Sequence, residues 1–125
     1  MQRKKVLIVE DEPLLSKMLE EGLVSSGFDV LTAENGEEGF EVAKEKQPDI
    51  VLLDIVMPKM DGLTVMKKLK REASTHTMPV IILTNLEPND EAIDRIAKDN
   101  PAYYLTKSNT EVSEIVEKVK EVLEV

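Results

Sequence analysis

With 125 residues, 42% of them apolar and 33% charged, the chain has enough apolar surface for one full core and too little length for two, so residues 1–125 read as a single domain. The absence of cysteine excludes disulfides and thiolate metal sites and fits a cytoplasmic setting. The formal net charge of −9 argues against direct nucleic-acid binding, which needs clustered Lys and Arg, and favours basic or cationic partners.

In chain order, the opening "MQRKKVLIVEDE" is basic and then apolar, as a signal peptide is. Its apolar part spans only Val6–Val9 and acids follow at once, so it reads as strand one. Pro13 suits the first position of helix one, whose apolar stripe is Leu14/Leu15, Met18/Leu19 and Leu23, with Gly27 as the stop. Phe28–Ala33 is strand two, of mixed polarity as an edge strand should be. Helix two runs from Gly36 to Lys46 with Phe40 and Ala43 inward. Strand three is Ile50–Leu53, helix three carries Leu63, Met66 and Leu69, and strand four is Val80–Leu83. A fourth helix follows Pro88 with Ile93, Ile96 and Ala97. Ala102–Leu105 is the second mixed, edge-type strand. The last helix carries Val112, Ile115, Val116, Val119 and Leu123, with Ser108 and Glu111 at capping-box spacing. Runs one, three and four are apolar throughout, which predicts burial on both faces of a parallel sheet. Five βα units with right-handed crossovers give a doubly wound α/β fold. No apolar run approaches the roughly 20 residues that cross a bilayer, so no membrane insertion is expected.

Functional groups of such a sheet collect beyond the carboxyl ends of its strands. Strand one ends in Glu10-Asp11-Glu12, strand three in Asp54 and strand four in Thr84, and strand five is followed by Lys107. Asp54 interrupts the apolar stretch "IVLLDIVMPKMDG", where an unpaired charge costs several kcal/mol, on the order of a lost ionic hydrogen bond or more. If the sheet order is 2-1-3-4-5, strands one and three are neighbours and Glu10, Asp11 and Asp54 converge. Crowded carboxylates repel one another unless a cation answers them. Ligands that are all oxygen suit Mg²⁺, with Mn²⁺ as a substitute. Glu12 precedes Pro13 and reads as a charge at a helix N-terminus. An acid pair after a strand also fits simple capping, Thr84 a loop cap and Lys107 a surface lysine. Together, however, the set supplies a nucleophilic carboxylate, a screening cation, a hydroxyl and an ammonium, the parts of phosphoryl transfer to an aspartate. His76, in the polar loop "EASTHTMPV" at the far end, reads as a surface residue.

"VLIVEDE", "IVLLDIVMPKMDG", "VIILTN" and "YYLTKS" resemble, in order and at matching spacing, the successive blocks of the receiver domain of bacterial two-component response regulators. The resemblance implies a flavodoxin-like (βα)5 fold of order 2-1-3-4-5. It implies that Asp54 is the phosphoacceptor for a histidine kinase or phosphotransfer protein. By the same match, Glu10, Asp11, Asp54 and the Val56 backbone carbonyl hold Mg²⁺, Thr84 bonds a phosphoryl oxygen, and Lys107 pairs with the phosphoryl charge. Tyr104 falls at the aromatic switch position, though static packing there is the competing reading. The face of the fourth helix, fifth strand and last helix would report to an output partner. On this reading the protein is a signalling switch and not an enzyme, beyond its own phosphorylation and dephosphorylation.

Several positions depart from the family pattern. Ser108 stands where proline usually follows the lysine, and a cis bond before a non-proline residue costs about 2.5–4 kcal/mol, so a trans Lys107–Ser108 bond is expected. Asn85 replaces the usual small residue after the threonine and is expected to crowd the path of Tyr104. Val56 and Leu86 lack polar groups that could position water, which predicts slow self-dephosphorylation. "KDNPAYYL" lacks the usual Gly-Ala before strand five, which points to an unusual partner for that face. Three other readings compete. Ser108 keeps open a degenerate receiver that acts without phosphorylation. A haloacid-dehalogenase-type phosphohydrolase needs a second acid where Val56 stands. A flavodoxin-like cofactor binder needs a Ser/Thr/Gly-rich loop where "EDEP" stands. The chain ends at Val125, just after the last helix and with no DNA-binding domain. A stand-alone receiver and a receiver from a longer protein both remain open.

Overall fold

A computed structural model describes residues 3–57, 59–85 and 101–125. The helix expected after Pro88, with Ile93, Ile96 and Ala97, lies outside the described residues, as do Pro58 and Leu86.

Short runs rich in Val, Ile and Leu form five strands: β1 Lys5–Val9, β2 Asp29–Ala33, β3 Ile50–Leu53, β4 Val80–Thr84 and β5 Tyr103–Thr106. They make one parallel sheet in the order β2-β1-β3-β4-β5. The helices are α1 (Pro13–Ser25), α2 (Gly36–Lys46), α3 (Gly62–Arg71) and a C-terminal helix (Val112–Leu123). Strand alternation divides the core into two layers. On one face Val6, Ile8, Ile50, Leu52, Ile81 and Leu83 pack with Leu19 and Leu23 of α1 and with Ile115, Val116 and Val119 of the C-terminal helix. On the other, Leu7, Val9, Val51, Leu53, Val80 and Ile82 meet Phe40 and Ala43 of α2 and Val65, Met66 and Leu69 of α3. The central strands are therefore buried on both sides, as their unbroken apolar runs predict, and each large aliphatic side chain so buried contributes about 1.5–3 kcal/mol. β2 and β5 are only partly buried, as edge strands.

Local signals set the element ends. The Asn35 side chain accepts from the Glu38 N–H at the start of α2, and Asp61 accepts from Thr64 at the start of α3, each at 2.9 Å. Gly27, at φ +97°, turns the chain from α1 into β2. One capping expectation is corrected. Ser108 lies in a single 3₁₀ turn, Lys107–Asn109, and the capping box of the C-terminal helix is made by Glu111 and Glu114. The 3₁₀ turn uses up residues 107–109, so the α-helix begins three residues later than the Ser108 spacing suggested.

The register aligns the carboxyl edge. Val9 pairs with Leu53, so Glu10 and Asp54 leave the sheet side by side. Thr84 pairs with Thr106, which carries Lys107 out beside them.

Candidate functional site

Asp54 emerges from the buried end of β3 with its side chain almost wholly enclosed. Its backbone N–H donates to the Val9 carbonyl at 3.1 Å, and its Oδ1 accepts from the Val56 N–H at 3.3 Å. Gly62 explains how α3 can start so close to this carboxylate. A Cβ at that position would lie 2.1 Å from the Asp54 carbonyl oxygen, so only glycine lets the loop return across the strand end. The Gly62 N–H donates to the Ile55 carbonyl at 2.8 Å and ties the return in place.

Glu10, buried, and Asp11, exposed, bring carboxylate oxygens to the same point as Asp54, all within 4.8 Å of one another. Lys107 reaches into this cluster with its side chain only 9% exposed. Its Nζ lies 2.8 Å from Glu10 Oε1, 2.9 Å from Asp54 Oδ2 and 3.2 Å from Glu12 Oε1. The Glu12 N–H donates to Glu10 Oε2 at 3.0 Å and orients that carboxylate. Burial pushes the Glu10 carboxyl up to about 7, against the pull of Lys107 and with the help of the Asp54 charge. Burial works to lower Lys107, but its hydrogen bonds to Glu10 and Asp54 outweigh that and hold its ammonium above the usual lysine range. One ammonium against the crowded carboxylates leaves the cluster short of positive charge. A hard divalent cation held by all-oxygen ligands fits that deficit, and Glu10, Asp11 and Asp54 are the residues that could hold it.

Thr84 completes the site. It is buried at the end of β4, its hydroxyl has no hydrogen-bond partner among the described residues, and it lines one cleft with Asp11, Glu12, Asp54, Val56, Asn85 and Lys107. A buried hydroxyl left unpaired costs about 1–3 kcal/mol, and such a group beside a polar cleft suits a ligand oxygen. The Val56 side chain is 64% exposed at the mouth of the cleft. Tyr104 is half-buried and packs against the core layer of α2 and α3. His76 is exposed in the turn that follows α3, at the opposite end of the sheet from the site.

The Lys107–Ser108 peptide is trans, as expected from the missing proline. Two features were not legible in the sequence. Glu12, at the N-cap position of α1, turns its side chain to Lys107 and makes no cap hydrogen bond. Asn85 Oδ1 accepts a hydrogen bond from the Ser108 N–H at 3.0 Å, so the two departures from the family pattern touch each other.

An all-parallel sheet of this order, with acids, a hydroxyl and a lysine gathered at its carboxyl edge, defines a CheY-like α/β protein of the flavodoxin-like fold. Residues 6–120 match the response regulator receiver domain family, and the chain belongs to it. It is 38% identical over 105 residues to the protein PilH of Pseudomonas aeruginosa, covering 82% of this chain and 84% of PilH. It is 35% identical over 122 residues to the DNA-binding dual master transcriptional regulator RpaA of Synechocystis, covering 95% of this chain and 48% of RpaA. The alkaline phosphatase synthesis transcriptional regulatory protein PhoP of Bacillus subtilis is 38% identical over 93 residues, covering 74% of this chain and 37% of PhoP. The chain thus spans less than half the length of these two transcriptional regulators. Among solved structures, a response regulator from Chloroflexus aurantiacus superposes with a TM-score of 0.87 at 30% identity, covering 99% of this chain and 100% of that one. The chemotaxis protein CheY4 of Vibrio cholerae superposes equally well, at 0.87, with 24% identity and coverage of 97% and 99% of the two chains, a likeness of fold.

Proposed function

We propose that residues 1–125 form one receiver unit that works as a phosphorylation-controlled switch, with Asp54 as the phosphoacceptor. The observation that carries this reading is the meeting of Asp54 with Lys107 at 2.9 Å beside the buried hydroxyl of Thr84, which has no hydrogen-bond partner among the described residues. An Asp54 carboxylate oxygen attacks phosphorus on the phosphohistidine of a kinase or phosphotransfer protein. The P–N bond breaks, and its electron pair leaves with the imidazole. The product is an acyl phosphate on Asp54. Lys107 moves from Glu10 and Asp54 oxygens to a phosphoryl oxygen within the same reach, and the Thr84 hydroxyl donates to another. Glu10, Asp11, Asp54 and the Val56 backbone carbonyl would hold Mg²⁺, which supplies charge neutralisation for the transferring group.

The new charge then draws the Thr84 hydroxyl, and the Tyr104 ring, two strand positions from Thr106 on β5, is the element that responds. The output face is that of the fourth helix expected from the sequence, β5 and the C-terminal helix. The net charge of −9 supports a protein partner over nucleic acid for this stretch. The apolar Val56 at the mouth of the cleft supports slow self-dephosphorylation. The lysine's hold on Asp54 and Glu10, despite Ser108, supports a working site over a degenerate one.

Intact mass after incubation with acetyl phosphate and Mg²⁺ tests the proposal. One phosphoryl group is expected on the wild type and none on Asp54→Asn or after chelation. A folded wild type that gains no phosphoryl mass would overturn it.

A further inference from the structure

The Lys107 side chain is 9% exposed and holds three carboxylates, yet its backbone opens a single 3₁₀ turn, an element with little hydrogen bonding of its own. Something outside that turn has to fix where the lysine leaves the chain. Among the described residues the β4–β5 pairing ends at Thr84 and Thr106, one residue before Lys107. We propose that Asn85 is the positioning residue for Lys107. It acts through the hydrogen bond that its Oδ1 accepts from the Ser108 N–H at 3.0 Å.

The register makes this contact geometrically natural. Asn85 follows Thr84 directly, so it stands at the end of β4, where its side chain meets the chain just beyond Thr106. A short side-chain carbonyl there supplies an acceptor for the Ser108 N–H beyond the described strand pairing. The residue pair has matched requirements. Position 108 must carry an N–H, which proline would remove, and position 85 must carry an acceptor on a short stem, which alanine or glycine would not. The Ser108 hydroxyl is not needed. Asn85 also lines the cleft with Thr84, Asp54 and Lys107, so the tether joins the hydroxyl-bearing strand end to the lysine-bearing turn across the site. Two substitutions that look like separate departures from the family pattern thus form one device for holding the lysine.

The catalytic consequence rests on the phosphoryl-transfer reading, whereas the placement of Lys107 does not. The test therefore has two arms on the full chain, with Asn85→Leu (same shape, no acceptor), Asn85→Asp (acceptor kept) and Ser108→Ala (backbone donor kept). In the first arm, nuclear magnetic resonance follows exchange of the Ser108 amide and the side-chain ammonium signal of Lys107. Asn85→Leu is expected to speed Ser108 exchange by about fivefold or more, the worth of one hydrogen bond, and to shift the Lys107 signal. Asn85→Asp and Ser108→Ala are expected to keep the protection. In the second arm, Asn85→Leu is expected to slow phosphorylation by acetyl phosphate several-fold at saturating donor, with its half-saturating concentration unchanged. Unchanged Ser108 exchange and an unmoved Lys107 signal in Asn85→Leu would overturn the proposal. A wild type that accepts no phosphoryl group would instead overturn the phosphotransfer reading, with the first arm still deciding the role of Asn85.

Discussion

Thr84 shows most plainly what the site gives up in stability. Its hydroxyl is buried without a partner among the described residues, so the folded chain carries a desolvated polar group that a ligand oxygen could satisfy. Thr84→Val, which keeps the shape and removes the hydroxyl, is expected to leave the unfolding free energy unchanged or raise it by about 1 kcal/mol. Phosphoryl transfer to Asp54 is expected to fall in the same variant. Urea unfolding and phosphorylation kinetics on one preparation check both, and a clear loss of stability would show that the hydroxyl already has a partner. At this scale the sequence was legible where a residue sits at or just beyond the end of a strand. Strand ends alone placed Glu10, Asp54, Thr84 and Lys107 at the carboxyl edge of the sheet, where they lie. The reach of Lys107 to Glu10, 97 residues away, and of Glu12 away from its helix were not, because they depend on side-chain conformations that only the assembled site selects.

Among elements, the start of α3 is packed closely against the end of β3. Gly62 has no room for a Cβ against the Asp54 and Ile55 backbone, and neither neighbour can give way as a flexible side chain would. Gly62→Ala is expected to cost about 1–3 kcal/mol or more in chemical denaturation, beyond the roughly 1 kcal/mol of a lost helix cap such as Asp61→Ala. Equal losses in the two variants would contradict this packing. β5 is tied to the C-terminal helix by the Tyr103 hydroxyl, which donates to Glu121 at 2.9 Å, with Lys118 over the Tyr103 ring. The bond to Glu121 and that residue's charge raise the Tyr103 phenol above its ordinary 10.0, and the bonds from Tyr103 and Lys118 lower Glu121. The Tyr103 contribution to stability is therefore complete below its unfolded value and lost as pH rises through the folded one. The Glu121 contribution is present above its unfolded value and lost as pH falls through the folded one. Ultraviolet titration is expected to show a late tyrosine ionisation that moves earlier in Glu121→Gln. No movement would mean that the two side chains do not bond in solution. Strands and helices were legible from periodicity, but the start of the C-terminal helix was not. Ser108 and Glu111 have the right spacing for a cap, and Glu111 with Glu114 has the same spacing with the better outcome once the 3₁₀ turn has formed.

For the molecule as a whole, unbroken apolar runs predicted the two-sided core and the βα repeat the doubly wound fold, while the strand order came from the resemblance to receiver domains. What composition could not reveal is how the acidic chain directs its charge, since the same residues could form a solvated surface or a cation site. The answer depends on three carboxylates meeting at one sheet edge with a buried lysine between them. The central claim is that this edge makes Asp54 a phosphoryl acceptor, and chemical trapping tests it most directly. An acyl phosphate formed with phosphoramidate and Mg²⁺ can be reduced by borohydride, which converts the modified aspartate to homoserine. Peptide sequencing by mass spectrometry is predicted to find homoserine at position 54 alone, and only when the divalent cation is present. An unmodified Asp54, with the phosphoryl group on His76 or on another carboxylate, would contradict the account.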